Sequence, residues 1–89
     1  MPVIDVVVSN KLGLHARAAA KLTQLAGRFE SDIHISRGGQ RVNAKSIMGV
    51  MMLAAGLGVT VRIEANGADE DQALSQIQDL FDLKFGEPE

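Results

Sequence analysis

The sequence predicts an α+β fold: an open-faced β-sandwich in which three helices cover one face of a four-stranded antiparallel sheet. Three observations carry this. Runs of alternating polarity, as strands require, appear near residues 3–8, 32–36 and 59–65, with a short returning run at 40–43. Helical spacing of apolar residues appears between them and again at the end of the chain. Gly-rich turn signals separate the runs, giving the order β-α-β-β-α-β-α without repeat, linker or low-complexity segment. At 89 residues the chain is read as one domain, 1–89.

The elements follow in order. From Val3 to Val8, Ile4, Val6 and Val8 share one face and Asp5 marks the other. Ser9-Asn10-Lys11-Leu12-Gly13 is a loop. From Ala16 the period changes: Ala18, Leu22, Leu25 and Phe29 recur at i, i+4, i+7 and i+11, predicting an amphipathic helix that ends near Gly27. Ile33 and Ile35 alternate with His34 and Ser36, and Gly38-Gly39 turns the chain into the strand Gln40 to Asn43. Ser46 can cap a short helix from Ile47 to about Ala54, with Val50, Leu53 and Ala54 as its core stripe. Gly56 and Gly58 end that helix, and Val59, Val61, Ile63 and Ala65 form the last strand. Asp69 with Gln72 resembles a capping box, and Ala73, Ile77, Leu80 and Lys84 define the final helix, closed by Gly86 and Pro88.

Composition narrows the function. Without cysteine, disulfides and thiolate metal sites are excluded. Three Phe, no Trp or Tyr and a net charge of -2 leave neither the stacking platform nor the cationic surface of a nucleic-acid binder. Arg62, Glu64, His34 and Thr60 on the open sheet face add no aromatic surface for RNA or a small molecule. The opening Met1-Pro2-Val3-Ile4-Asp5 lacks the basic region of a signal peptide, and the apolar stretch 47–57 is too short to span a bilayer. A cytoplasmic monomer without membrane insertion, metal or cofactor is expected.

Two histidines are separated by position. His34 alternates with core residues on a strand, so it is expected to face solvent. His15 stands where the first helix should have its N-cap, a slot normally filled by Ser, Thr, Asp or Asn. Free backbone N–H groups and the positive end of the helix dipole gather there, so Ala16 and Arg17 N–H would face an anion carried by the ring. Arg17 can add its planar fork to a phosphoryl group. From spacing alone, a phosphoryl acceptor and a capping histidine beside a surface arginine are equally good readings.

Two surfaces flank His15. Arg17, Lys21, Gln24 and Arg28 form a stripe opposite the apolar face of the first helix, which is either a solvated face or a dock for an acidic partner. Ala20 lies beside it. The second helix, Ile47-Met48-Gly49-Val50-Met51-Met52, is apolar all round, so it is either unusually well buried or leaves some of its methionines exposed as an adaptable contact surface. Lys45 borders it, and Ser46 is an N-cap that could also take phosphate.

At these residues a family resemblance enters. Gly13-Leu14-His15-Ala16-Arg17 resembles the active-site signature of HPr, the histidine-containing phosphocarrier of the bacterial phosphotransferase system. The stretch from Val42 to Met51 resembles the family's second signature, around a regulatory serine. Both motifs keep the family's separation, and the likeness covers the whole chain. The resemblance implies an HPr-like fold and a phosphocarrier rather than an enzyme in its own right. His15 would accept a phosphoryl group on Nδ1 from phosphorylated enzyme I, charged by phosphoenolpyruvate, and pass it to a histidine of an enzyme IIA protein. Arg17 would steady the group. Partners would dock over the first helix and the apolar second helix, and Ser46 matches the serine modified by HPr kinase/phosphorylase in some bacteria. Most sugar-system members carry proline after the arginine, where this chain has Ala18. The runs Ala18-Ala19-Ala20-Lys21-Leu22 and Met51-Met52-Leu53-Ala54-Ala55-Gly56 are more like proteobacterial members, which include the nitrogen-related NPr branch and HPr proteins encoded beside the kinase. A non-catalytic regulatory module acting through the same helix surface is the competing reading.

Overall fold

The computed structural model describes residues 2–88. Four strands, β1 (Val3–Val7), β2 (Asp32–Arg37), β3 (Gln40–Asn43) and β4 (Thr60–Asn66), form one antiparallel sheet in the order β1-β4-β2-β3. The helices are α1 (Ala16–Ala26), α2 (Ile47–Met52) and α3 (Glu70–Asp82), and a 3-10 turn spans Lys84–Gly86. The open-faced sandwich expected from the alternation is the observed architecture.

Strand parity decides what is buried. Val6 stands opposite Val61, Ile35 opposite Ile63, and Ile33 opposite Ala65, all on the face beneath the helices and all essentially excluded from water. Leu22, Val50 and Ile77 bring one apolar stripe from each helix onto that face. Each fully buried side chain of this size contributes roughly 1.5–3 kcal/mol. Phe81 and Phe85 meet edge to face, with ring centroids 4.8 Å apart, and close the end of the core near the chain's last segment. On the other face, Asp5 pairs with Arg62 across β1 and β4, and Arg41 reaches Glu64. His34 lies on that face between Asn43 and Glu64, half-buried among its strand neighbours.

Several local expectations are corrected. Gly27 does follow α1, but with φ −66 it is not a left-handed stop, and Phe29 packs into the core from beyond the helix. Helix α2 stops at Met52 rather than Ala54. Ala54 takes φ 50 and is exposed, while Val50 and Leu53 are buried as expected. The change of direction at Ala54 lifts that residue away from the core. Asp69 does not cap α3. Its carboxylate instead accepts hydrogen bonds from Glu30 N, Ser31 N and Ser31 Oγ, tying the start of α3 to the turn before β2. Glu70 Oε1 accepts from Gly67 N at 3.0 Å, closing the turn that leads into α3. Lys84 lies outside α3, at φ 54, in the 3-10 turn.

Two glycines answer close approaches. A Cβ on Gly49 would lie 3.2 Å from Val42 Cβ, so its place in α2 is explained by packing against β3. A Cβ on Gly13 (φ +68) would fall 2.6 Å from Ala55 O and 2.7 Å from Gly56 Cα. The loop before α1 therefore rests directly on the segment after α2, and Leu14 N donates to Ala55 O at 2.9 Å.

Candidate functional site

His15 occupies the N-cap of α1 with extended backbone (φ −75, ψ −179), and its side chain makes no capping bond. Its carbonyl instead accepts from Ala19 N at 2.8 Å, the first intrahelical bond. Helix geometry leaves the N–H groups of Ala16 and Arg17 without an intrahelical acceptor. Both residues are exposed at the site's rim. His15 thus stands in the N-cap slot expected from the sequence, and its side chain does not cap the helix.

The ring is held from across the chain. His15 Nε2 lies 2.7 Å from Glu87 Oε2, a contact between residues 72 positions apart. The other carboxylate oxygen, Oε1, accepts from Asn10 Nδ2 at 3.0 Å, and the same amide donates to Gly13 O at 2.8 Å. The Asn10 side chain is fully buried, so the loop carrying His15 is clamped from beneath. The Glu87 side chain is 7% exposed, whereas the His15 side chain keeps 29% of its surface open. The His15 ring bond, then the Asn10 amide, hold the Glu87 carboxyl below its ordinary value, and the Arg17 charge adds to this. His15, Arg17, Glu87, Lys11, Leu12 and Pro88 line a shallow cavity of about 350 Å³. A second groove continues from His15 past Leu14 and Ala55 to Met51 of α2.

Segments 84–88 reach the site by their own anchors. Phe85 is buried at φ 57, and Lys21 Nζ donates to its carbonyl. Lys21, read from sequence as part of a docking stripe, therefore holds this segment in place. Lys45 Nζ similarly donates to Phe29 O at 2.9 Å. Arg17, Gln24 and Arg28 are exposed, Arg28 just past the end of α1, and Ala20 is half-buried. On α2, Met48 is 71% and Met52 65% exposed, with Ile47 and Met51 also open. Ser46 caps α2, its Oγ accepting from Gly49 N at 3.1 Å. Arg37 Nη1 donates to Leu53 O at 3.0 Å and Ala54 O at 2.8 Å, tying down the carbonyls beyond α2.

Sequence reasoning missed Glu87 and the role of Asn10. No spacing signal links residue 87 to residue 15, because the contact depends on how α3 and its 3-10 turn fold back over α1. Among the described residues, no cluster of His, Cys, Asp or Glu is placed to hold a metal ion, and no helix is long and apolar enough to cross a membrane.

A small sheet-and-helix domain thus presents one partly open histidine at the start of its first helix. A family model for the PTS HPr component phosphorylation site matches residues 3–82. Phosphocarrier protein HPr of Cupriavidus necator is 59% identical over 85 residues, 96% of each chain. Phosphocarrier protein NPr of Shewanella violacea is 46% identical over 83 residues, 93% of this chain and 91% of that one. Among solved structures, HPr-C-His from Thermoanaerobacter tengcongensis superposes with a TM-score of 0.96 at 43% identity, over 100% of both chains. The chain belongs to the HPr family of phosphocarrier proteins of the bacterial phosphotransferase system.

Proposed function

We propose that His15 accepts a phosphoryl group on Nδ1 from phosphorylated enzyme I and hands it to a histidine of an enzyme IIA protein. The observation that carries this reading is the ring's pose: Nε2 is engaged by Glu87 while the ring stays partly open beside Arg17 and the first N–H groups of α1. The engaged nitrogen leaves Nδ1 as the reacting atom. Arg17 offers a planar, permanently charged fork to the phosphoryl oxygens. The N–H groups of Ala16 and Arg17 add the partial charge of the helix start. Transfer by this route needs neither metal nor cofactor.

Partners dock on the two surfaces beside the ring. One is the outer face of α1 and its exit, with exposed Arg17, Gln24 and Arg28 beside the half-buried Ala20 and Lys21. The other is α2 with Lys45, Ile47, Met48, Met51 and Met52, whose flexible thioethers adapt to more than one partner. Ser46, at the N-cap of α2, is the residue an HPr kinase/phosphorylase would modify. A phosphate there suits the start of α2 locally, so its effect falls on the partners that read the methionine surface. The protein works as a cytoplasmic monomer in this scheme. An HPr dimer is known from Thermoanaerobacter tengcongensis, so light scattering is the check.

The test is direct. Incubation with enzyme I and phosphoenolpyruvate yields an acid-labile, alkali-stable adduct on the native chain and none on His15→Ala. A native chain that acquires no such adduct refutes the proposal. If His15→Ala instead leaves partner binding and the cellular phenotype intact, the protein is a non-catalytic regulatory module.

A further inference from the structure

We infer that Met48, Met51 and Met52 form an oxidisable modification site on α2: peroxides convert their thioethers to sulfoxides, which weakens docking of the phosphoryl donor and leaves the fold in place. The inference rests on the carrier reading above, in which α2 is a docking surface, and adds a chemical modification of that surface.

Composition and access select these atoms. The chain has no cysteine, so no thiol competes for an oxidant. Met48 and Met52 are the most open side chains of the helix, and Met51 is 38% exposed. Residues three and four apart are neighbours on a helix, so 48, 51 and 52 share one side of α2. Met51 also lines the groove that begins at His15 and passes Leu14 and Ala55. An oxygen added to its sulfur would border that groove.

The helix does not need these side chains to stay in place. Val50 and Leu53 are buried and fix it to the core. Ser46 Oγ caps it at Gly49 N, and Gly49 packs against Val42. Arg37 holds the Leu53 and Ala54 carbonyls that follow. A sulfoxide at 48, 51 or 52 therefore alters what α2 presents rather than how it is held.

The reaction balances with the peroxide as the sole co-reactant. A sulfur lone pair attacks one peroxide oxygen, and the S–O bond forms as the O–O bond breaks. The departing hydroxide takes the proton from the transferred oxygen and leaves as water. Sulfur loses two electrons and the peroxide gains them. The product is a polar, chiral group in place of an apolar one. Against an apolar partner surface its oxygen loses water without gaining a donor, which weakens binding about tenfold. Methionine sulfoxide reductases, one for each epimer, return the thioether at the expense of a dithiol and release the oxygen as water.

For the test, the native chain is treated with hydrogen peroxide, freed of it by gel filtration, and then given enzyme I and phosphoenolpyruvate. Peptide mass mapping should find one added oxygen on each of residues 48, 51 and 52. The chain concentration that half-saturates enzyme I should rise about tenfold, with the saturated rate kept within about twofold and the circular dichroism spectrum unchanged. Both sulfoxide reductases with a dithiol should restore the starting value. A triple variant carrying Met48→Leu, Met51→Leu and Met52→Leu, compared only with itself, should keep its own half-saturating concentration through the same treatment. Met1 and His15 remain in that variant, so oxidation of either is controlled. Three sulfoxides with half-saturation unchanged would overturn the inference, as would loss of the helical spectrum or an equal loss in the triple variant. Methionines left reduced by a dose that oxidises a free methionine peptide would overturn it as well. A native chain that takes no phosphoryl group before treatment defeats the carrier reading and the docking consequence with it, while the mass map and the spectrum still decide the modification site.

Discussion

Replacing Gly13 by Ala perturbs the loop that presents His15, and the structure allows its effect to be worked out in parts. The residue sits at φ +68, in the left-handed region, where an L side chain costs about 1–2 kcal/mol. The added methyl would lie 2.6 Å from Ala55 O and 2.7 Å from Gly56 Cα. Both are backbone atoms, so no rotamer relieves the overlap and the two segments must part. Parting them strains the bond from Leu14 N to Ala55 O, worth about 1 kcal/mol. The sum is about 2–3 kcal/mol, against a total stability of roughly 4–13 kcal/mol for a chain of this size. The melting temperature should fall by roughly 10–25 °C. Gly38 supplies the control, since it has nearly the same φ, +60, with nothing within 4 Å of its Cβ position. Gly38→Ala should therefore lose only the conformational part, about 1–2 kcal/mol. Urea and thermal unfolding of both variants, followed by circular dichroism, would measure the difference. Equal losses in the two variants would refute the claim that the 10–14 loop is seated on residues 55–56.

Other outcomes follow from single contacts. Asp69 has its carboxyl lowered, first by the Ser31 hydroxyl and then by the Glu30 amide, so its contribution is present above the unfolded-chain value near pH 4 and is lost as pH falls through the lower folded value. Asp69→Asn should accordingly flatten the acid limb of a stability–pH curve below about pH 4, which acid titration followed by circular dichroism would show. Ser46→Ala should cost about 1 kcal/mol through loss of the cap on Gly49 N, seen in urea unfolding. Ser46→Asp should keep the fold and slow enzyme I-dependent phosphorylation, and an unchanged rate would leave the residue as a cap only. Arg37→Ala removes both donors from the Leu53 and Ala54 carbonyls, so amide exchange should quicken in residues 53–56 while the strands stay protected.

What sequence revealed and what it hid divide along the distance between partners. The alternation of Val61, Ile63 and Ala65, or the stripe Ala18–Leu22, depends on near neighbours, and both elements appear as expected. His15 could be singled out because the N-cap slot is local. Ala54 could not be placed correctly, because the Arg37 side chain that holds the Leu53 and Ala54 carbonyls comes from β2, 16 and 17 positions away. Asp69 has the residue type of a cap, yet Ser31 and the Glu30 amide compete successfully for its carboxylate, 38 and 39 positions away. Lys21 and Lys45 read as surface charge because a sequence does not show which carbonyl a long side chain will meet. Glu87 carries the same limitation furthest. Its residue type is ordinary for an exposed position, and only tertiary folding brings it to the ring.

That long-range clamp has a consequence during synthesis. Residue 15 leaves the ribosome well before residue 87, which lies 72 positions further on. Until residues 84–88 have left the ribosome and packed over α1, the histidine belongs to a loop without its clamp. A nascent copy would then present residue 15 on a loop still without its Glu87 contact, and that contact forms only with the fold itself.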